Sequence, residues 1–561
     1  MEGSGSGSRP GGWWRGAIAG VLAGGAALGV GQFVAGITGA SSSPVVAVGQ
    51  LQIDFTPPWL KNFAIQEFGS HDKQVLVGGI LVVLAIFAAC VGAAAGRRLA
   101  YGMIGIAVFG VVGLTAAASR PTATFASMLP TLFAIAAAVL VLRVLVPLAV
   151  GSASWARPGV ASARSASGAV DTWAGGPDGA LPEPGTQADP VRDQNVAWAH
   201  QELEQAGTGR RGFLAAGTVT AMAAALAWLI GRALTERSSV ATARSALRIP
   251  APASPVPPLA ADTSLNVPGI SPFVTSNAAF YRVDTAIVLP QVAPDSWQLR
   301  IHGMVDKEVV LSFAELIRRP LIEDYITLCC VSNPVAGPYI GNALWLGASL
   351  AGVLREAGIK AGAEQLLCTS VDGFTSGTPV QTVMDGRDAL LAVAMNGQPL
   401  PVEHGFPARM VVPGLYGYVS ATKWVTDIEV TTFSGNYAYW AQRGWSQQAP
   451  IKTESRIDVP AGTSPLPAGK VTVAGVAWAQ HKGIDAVEVR VDRGAWHPAR
   501  LAAVPGIDSW RQWAWDWDAT SGTHVIEARA TDATGYTQTA LQEPPEPNGA
   551  SGFPAVQVSV S

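Results

Sequence analysis

Three things are scarce in this 561-residue chain: charge, cysteine and histidine. Charged residues make up only 14%, whereas a typical soluble protein carries about 25%. With 49% hydrophobic residues and a mean hydropathy of +0.28, part of the chain must lie where charge is unwelcome. The net charge is -3, and 29 Arg and 8 Lys are scattered rather than clustered, so there is no basic field for nucleic acid. Four cysteines (Cys90, Cys329, Cys330, Cys368) exclude a disulfide-dense scaffold and any multi-cysteine iron–sulfur or CxxCH haem motif. The seven histidines avoid the long apolar runs, His71 and His200 falling in loops between them. No histidine pair is therefore placed to hold a haem inside a bilayer, and no intramembrane carboxylate marks a proton or ion path.

Long apolar runs are what the chain does have, in its first half. Runs at 17–38, 75–95, 99–118 and 124–148 each reach the ~20 residues needed to cross a bilayer, and a fifth occupies 212–234. Arg9, Arg15, Arg97, Arg98, Arg157, Arg164, Arg192, Arg210 and Arg211 fall on one set of flanks, against Lys61, Lys73 and Arg120 on the other. Nine cations against three predict a cytoplasmic N-terminus and cytoplasmic 151–211 linker, with everything after the fifth span outside. The bundle reads as an anchor or docking surface in contact with membrane lipid. Arg210-Arg211-Gly212-Phe213-Leu214 resembles a twin-arginine export signal, although two arginines before a span also satisfy the positive-inside rule.

The second half has a different texture. Residues 235–272 are rich in proline and predict a stiff extended tether. From 273 to 452 short β-rich runs such as Ile326–Val331 alternate with helical stretches such as Leu346–Ala357, which predicts an α+β domain. From 453 to 561 period-two runs such as Val487-Glu-Val-Arg-Val491 and Trp513-Ala-Trp-Asp-Trp517 lie between turns, predicting an all-β, immunoglobulin-like sandwich with its tryptophans in the core.

Two stretches carry chemistry. Cys329-Cys330-Val331-Ser332-Asn333-Pro334 ends a strand-like run, which places a thiol at a strand-to-loop junction. Asn396-Gly-Gln-Pro-Leu-Pro-Val-Glu-His404-Gly-Phe-Pro-Ala-Arg409 runs on to Ala421-Thr422-Lys423-Trp424. There His, Arg and Lys surround glycine-rich backbone, a cationic concavity suited to a phosphate. Together these stretches resemble the sulfite oxidase family of molybdenum-cofactor enzymes, and the resemblance extends from about Phe273 to the end, leaving the apolar half outside it.

The resemblance implies a molybdopterin oxidoreductase with a single pterin and an immunoglobulin-like dimerisation domain, while the residues themselves show no haem or iron–sulfur motif, so no such centre is expected in this chain. It makes Cys330 the thiolate on molybdenum and gives Ala421, Thr422, Lys423, His404 and Arg409 to the pterin and its phosphate. Asp372 is a weaker pterin contact. Phe280-Tyr281-Arg282 falls where the family has an aromatic pair and an arginine at the metal pocket, with the spacing changed by one residue. Tyr281 would then contact the cofactor, and Arg282 an anion. Trp445 stands where the family's sulfite oxidases place a tyrosine five residues after a tryptophan. An indole donates one hydrogen bond and cannot accept one or titrate as a phenol does. Pro334-Val335-Ala336 likewise replaces an arginine, so the pocket is less cationic than a sulfite site should be.

The expected function is two-electron oxygen-atom transfer on a small oxo-substrate outside the cell membrane, with electrons exchanged through a separate redox protein or membrane partner. Two alternatives are a non-catalytic scaffold of the same fold and a cysteine hydrolase using Cys330 with His404.

Overall fold

The structure, a computed structural model, describes residues 13–57, 60, 67, 72–120, 123–150, 190–237, 239–461 and 465–561. Arg9, Lys61, His71, Arg157, Arg164 and the 151–189 part of the expected linker lie outside the described residues. The chain divides into a helical unit (1–55 and 67–237) and a mixed unit (56–66 and 238–561).

The helical unit contains α1 (Trp13–Thr38), α2 (Pro44–Phe55), α3 (Asp72–Ala95), α4 (Leu99–Ala118), α5 (Phe125–Val150) and α6 (Pro190–Arg237). Among the described residues, five helices are long and apolar enough to cross a membrane, and α2 is the short extra one. Two expectations change. The stretch between the first two spans, read as loop, contains α2, which begins with proline at a position where no amide is needed. Residues 190–211, assigned to a flexible linker, are the first turns of α6. They are rich in Ala, Gln and Glu, good helix formers, and the apolar span behind them propagates the helix backward.

Small residues make the closest approaches in this unit. A Cβ on Gly20 would meet the Ala88 carbonyl oxygen and lie 2.7 Å from the Gly92 Cα, and one on Gly231 would lie 2.7 Å from the Phe33 Cα. The large side chains Val82, Val83, Ile86, Val111, Leu140 and Leu214 are exposed instead. Close glycine contacts inside and large aliphatics outside are what packing in a lipid solvent selects.

In the mixed unit a five-stranded sheet runs 309–312, 298–303, 425–431, 365–370, 375–379, with the 298–303 and 425–431 strands parallel. A second sheet runs Leu321–Cys329, Ile340–Ser349, Leu390–Met395 and 398–399, with Arg409–Val411 also paired to 390–395. Leu321–Cys329 is β-branched, aromatic and largely buried, and it lies at the sheet edge. That edge is covered by the expected tether. Ala253 N–H donates to Leu321 O at 2.8 Å, and Arg244 donates to Leu400 O and Pro399 O at 2.7 Å each. The segment is therefore docked at both edges of the sheet: Ala253 and Ser254, extended between a short helix (Ala241–Ala246) and a turn at Ala261–Thr263, pair with Leu321 and Glu323, while Arg244 of the helix reaches the 398–399 edge.

Residues from 454 on form two four-stranded antiparallel sheets. Val473 and Trp513 of one share a core with Val489, Ile526 and Val558 of the other. This β-rich region is joined tightly to the domain before it: the Trp510 indole donates to Phe273 O at 2.8 Å and the Gln480 amide to Thr327 O at 2.9 Å. Trp513 is fully buried and Trp517 nearly so, core residues as expected.

Candidate active site

Cys330 sits one residue past the edge strand, in a loop built by its own backbone. Cys330 N–H donates to Tyr339 O at 2.9 Å, Asn333 N–H to Cys330 O at 3.0 Å, and Tyr339 N–H to the Asn333 side chain at 2.8 Å. Asn333 of the Val-Ser-Asn stretch thus shapes the loop that presents the thiol. The two cysteines point apart, as alternation along a strand requires. Cys329 is fully buried in the main core, with Glu454 and Arg456 acting on it. Cys330 lies 3.2 Å from the Ser332 hydroxyl and feels Lys423. Burial pushes the Cys330 thiol up, while Ser332 and the Lys423 ammonium pull it back toward the thiolate.

Lys423 and Arg409 are brought side by side by an isolated bridge between their backbones, with Met410 N–H donating to Thr422 O at 2.9 Å. A positive φ at Gly405 (107°) lets the chain turn there, and a Cβ would lie 3.0 Å from that of Arg409 and 3.2 Å from Lys423 Cα. The buried Arg409 guanidinium lies over the Trp345 ring at 5.1 Å and donates to His404 O and Ala421 O, each at 3.1 Å. Burial pulls its pKa down to about 10. Among the described residues no carboxylate is hydrogen-bonded to it.

The Lys423 ammonium donates to Asp284 at 2.5 Å and to Glu403 O at 3.1 Å, and burial lowers its pKa to about 8 despite that carboxylate. Asp284, only 6% exposed, is also paired with Arg282 at 2.8 Å, and Arg282 is 34% exposed. Asp284 is the residue that sequence reasoning missed; the signal available was a lone carboxylate two positions after a candidate site arginine. His404 Nε2–H donates to Asn277 O at 3.1 Å, its ring meeting Phe280 edge-on at 5.5 Å. Burial, reinforced by Arg409, pulls its pKa to about 4, so the ring is neutral at ordinary pH. Tyr281 stacks on Phe280 at 5.2 Å, and its phenol is held well above its usual pKa by burial, then by Cys330 and Cys329.

Arg282 and Lys423 pair with Asp284, and Arg409 acts on Lys423, so three cations lie near one another beside a thiol. A buried guanidinium bonded only to carbonyls leaves charge uncompensated, and an anion offsets it. These residues fit a phosphate-bearing cofactor whose metal takes a thiolate.

Comparison with known proteins agrees. The family model described as "Oxidoreductase molybdopterin binding domain" matches residues 286–440, which include Cys330, Asp372, His404, Arg409 and Lys423. The chain is 31% identical over 315 residues to the sulfite oxidase of Gallus gallus, covering 47% of this chain and 67% of that one. It belongs to the sulfite oxidase family of molybdopterin oxidoreductases. To the mitochondrial sulfite oxidase of Homo sapiens it is 29% identical, over 44% of this chain and 52% of the human one, so it spans about half of that relative. To the uncharacterized oxidoreductase YuiH of Bacillus subtilis it is 32% identical over 149 residues, 27% of this chain and 72% of that one. As a member of this family the chain is a molybdenum-cofactor oxidoreductase.

Not every residue expected at a sulfite-oxidase-type site is there. The structure brings together Cys330, Tyr281, Arg282, His404, Arg409, Ala421 and Lys423. Thr422 lies behind them, its hydroxyl 2.5 Å from that of Ser376. The backbone of Ala421 is already used, its amide donating to Gly417 O and its carbonyl accepting from Arg409. Asp372 accepts from Phe374 N–H at 3.2 Å and shapes the hairpin between Gln365–Ser370 and Thr375–Pro379, so its position is explained by a turn. Trp445 packs against Tyr418 and Trp440, ring centroids 6.0 and 6.1 Å away, as part of the buried core. No hydrogen bond or ring contact links it to Cys330 among the described residues, and its apolar face explains its burial. The hydrolase alternative fares poorly: the Cys330 thiol is pushed up, and His404 Nε2 is committed to Asn277.

Proposed function

We propose a membrane-anchored, extracytoplasmic enzyme that moves one oxygen atom to or from a small oxo-substrate. The observation that carries this reading is the thiol of Cys330 near Lys423 and the buried Arg409 guanidinium, which among the described residues bonds only to carbonyls. When bound, the molybdenum cofactor supplies a two-electron exchange of oxygen with the substrate. Cys330 would ligate the metal as a thiolate, a charge favoured by Lys423. Arg409 and Lys423 would hold the pterin phosphate, with the Ala421 carbonyl and the Thr422 backbone positioning Arg409 and Met410 beside it and Tyr281 against the cofactor. His404, kept neutral, orients through Asn277 rather than supplying a proton at ordinary pH. Arg282, partly exposed, is the residue that can meet an anionic or oxo group arriving from solvent. Electrons then pass singly to or from a separate redox protein or a membrane partner.

Five apolar helices, and cationic flanks that favour a cytoplasmic N-terminus, support the anchored, outward-facing arrangement. The fifth span carries the twin-arginine-like start, suited to export of a domain folded around its cofactor. The C-terminal pair of sheets is read as immunoglobulin-like, the element through which a homodimer would form.

The test is metal analysis of the full chain purified from cells that make the cofactor, followed by a screen of S-oxides, N-oxides and sulfite. Molybdenum near one per chain, and turnover that falls to background in Cys330→Ser, are expected. Protein that is active without molybdenum would overturn the proposal. Arg409→Ala should lower cofactor retention, and normal occupancy in that variant would reject the phosphate assignment.

A further inference from the structure

The oxygen-transfer reading leaves open which oxo-substrates the site accepts, and Asp284 bears on that. Of the two cations paired with this carboxylate, Arg282 is the one solvent reaches, its side chain 34% exposed against 10% for Lys423. Its neighbour Tyr281 feels Cys330 and Arg409, so this stretch runs beside the thiol. A guanidinium recognises an oxyanion by forking it, with two parallel N–H donors to two oxygens. In Arg282 one such edge is already taken: Nε donates to Asp284 Oδ2 at 2.8 Å and Nη2 to Oδ1 at 3.2 Å. The carboxylate is itself held, 6% exposed, with Lys423 Nζ donating to the same Oδ2 at 2.5 Å. To make way for an incoming anion it would have to leave Lys423 as well, and a buried ammonium without its partner is costly.

The charge balance points the same way. Arg282 and Lys423 share Asp284, Arg409 acts on Lys423, and Glu403 acts on the adjacent His404. A cofactor phosphate brings a charge of about −1.5 to −2. With that group seated, no full positive charge is left over for a second anion, and Pro334-Val335-Ala336 adds none.

We propose that Asp284 determines the substrate class. By occupying the Arg282 fork and fixing a negative charge beside it, Asp284 turns anionic oxo-substrates away and leaves the site to neutral S-oxides or N-oxides. The inference rests on the oxygen-transfer reading and narrows it. The test uses full-length holoenzyme in detergent and two ligands of matched tetrahedral shape, inorganic sulfate and neutral dimethyl sulfone. Their affinities are measured by calorimetry at fixed ionic strength, without turnover. Asp284→Asn keeps the shape and removes the charge, and should bind sulfate ~10-fold or more tightly than wild type, the scale on which a like charge opposes a ligand. Dimethyl sulfone should gain nothing. Asp284→Glu, which keeps the charge, should bind sulfate as weakly as wild type. Adding Arg282→Gln to Asp284→Asn should abolish the gain, because the freed fork produces it. Equal sulfate affinity in wild type and Asp284→Asn, an equal gain for dimethyl sulfone, or a gain that survives Arg282→Gln overturns the proposal. Should Asp284→Asn lose its molybdenum, the wild-type holoenzyme decides: tighter binding of dimethyl sulfone than of sulfate supports the proposal, and the reverse order overturns it. The oxygen-transfer reading fails on molybdenum content and this proposal on anion affinity, so the two failures are distinct.

Discussion

In the helical unit the tightest contacts are made by the smallest residues, whereas the mixed unit closes its core around its largest. Gly20 meets backbone of α3 with no room for a methyl group, and Gly231 does the same against α1. In the mixed unit Trp297, Trp345, Trp424, Trp478, Trp510 and Trp513 are all fully buried. The difference is the one that water and lipid as solvents would produce, and five helices long and apolar enough to cross a membrane are compatible with the second. In water, burying a large apolar side chain is itself the driving force. In lipid that gain vanishes, and close backbone approach is what remains. A buried tryptophan also brings an N–H: those of Trp297, Trp345, Trp424 and Trp510 donate to carbonyls, Trp345 to Ile326 O at 3.0 Å while offering its face to Arg409, whereas those of Trp478 and Trp513 have no partner among the described residues.

The contrast can be broken most severely at Gly20. Gly20→Leu should separate α1 from α3 and remove most correctly folded protein from the membrane, measured as yield in detergent. Next comes Trp345→Ala, which removes a fully buried ring between Phe280 and Arg409. It should cost ~3–5 kcal/mol in chemical denaturation of the mixed unit and loosen cofactor binding.

A smaller effect concerns a charge in the tryptophan-rich core. Glu454 is 4% exposed, one of its oxygens has no partner, and burial pushes its pKa from 4.5 up to about 8. The folded state keeps a proton that the unfolded chain loses above 4.5, so this group's contribution to stability falls as pH rises from about 4.5 to 8. Glu454→Gln should remove that loss and raise stability at pH 8 by ~1–3 kcal/mol in denaturation profiles against pH. His404 has the opposite sign. Its pKa is lowered from 6.5 to about 4, so stability should fall as pH drops through that window in both proteins. The smallest effect is expected at Gly25, where added atoms meet open space. Gly25→Ala should change thermal stability by less than ~1 kcal/mol, whereas the same residue type at position 20 tolerates nothing.

Much of this was legible in residues. The apolar runs located the five long helices because crossing hydrocarbon demands length and lack of charge, both local properties. The thiol and the His–Arg–Lys stretch were legible because their spacing is the same in every arrangement of the rest. Asp284 was not, since nothing local says that its carboxylate reaches Lys423 139 residues away. Trp445 shows the converse: close to Trp440 in sequence, it packs with it in an aromatic cluster of the core. The docking of the 235–272 segment was hidden too, because an extended proline-rich stretch reads the same whether or not a sheet edge is waiting for it.

By itself, the order of residues determined which segments avoid water, which thiol follows the strand and which cations flank the glycine-rich turn. Periodicity, charge and chain length decide these, and all of them act between near neighbours. Only the tertiary structure decided that Lys423 meets a carboxylate while Arg409, among the described residues, meets only carbonyls, and that the two adjacent thiols face different surroundings. Each of those depends on groups far apart in the chain meeting where water is excluded, and there a single missing or added hydrogen bond sets the chemistry.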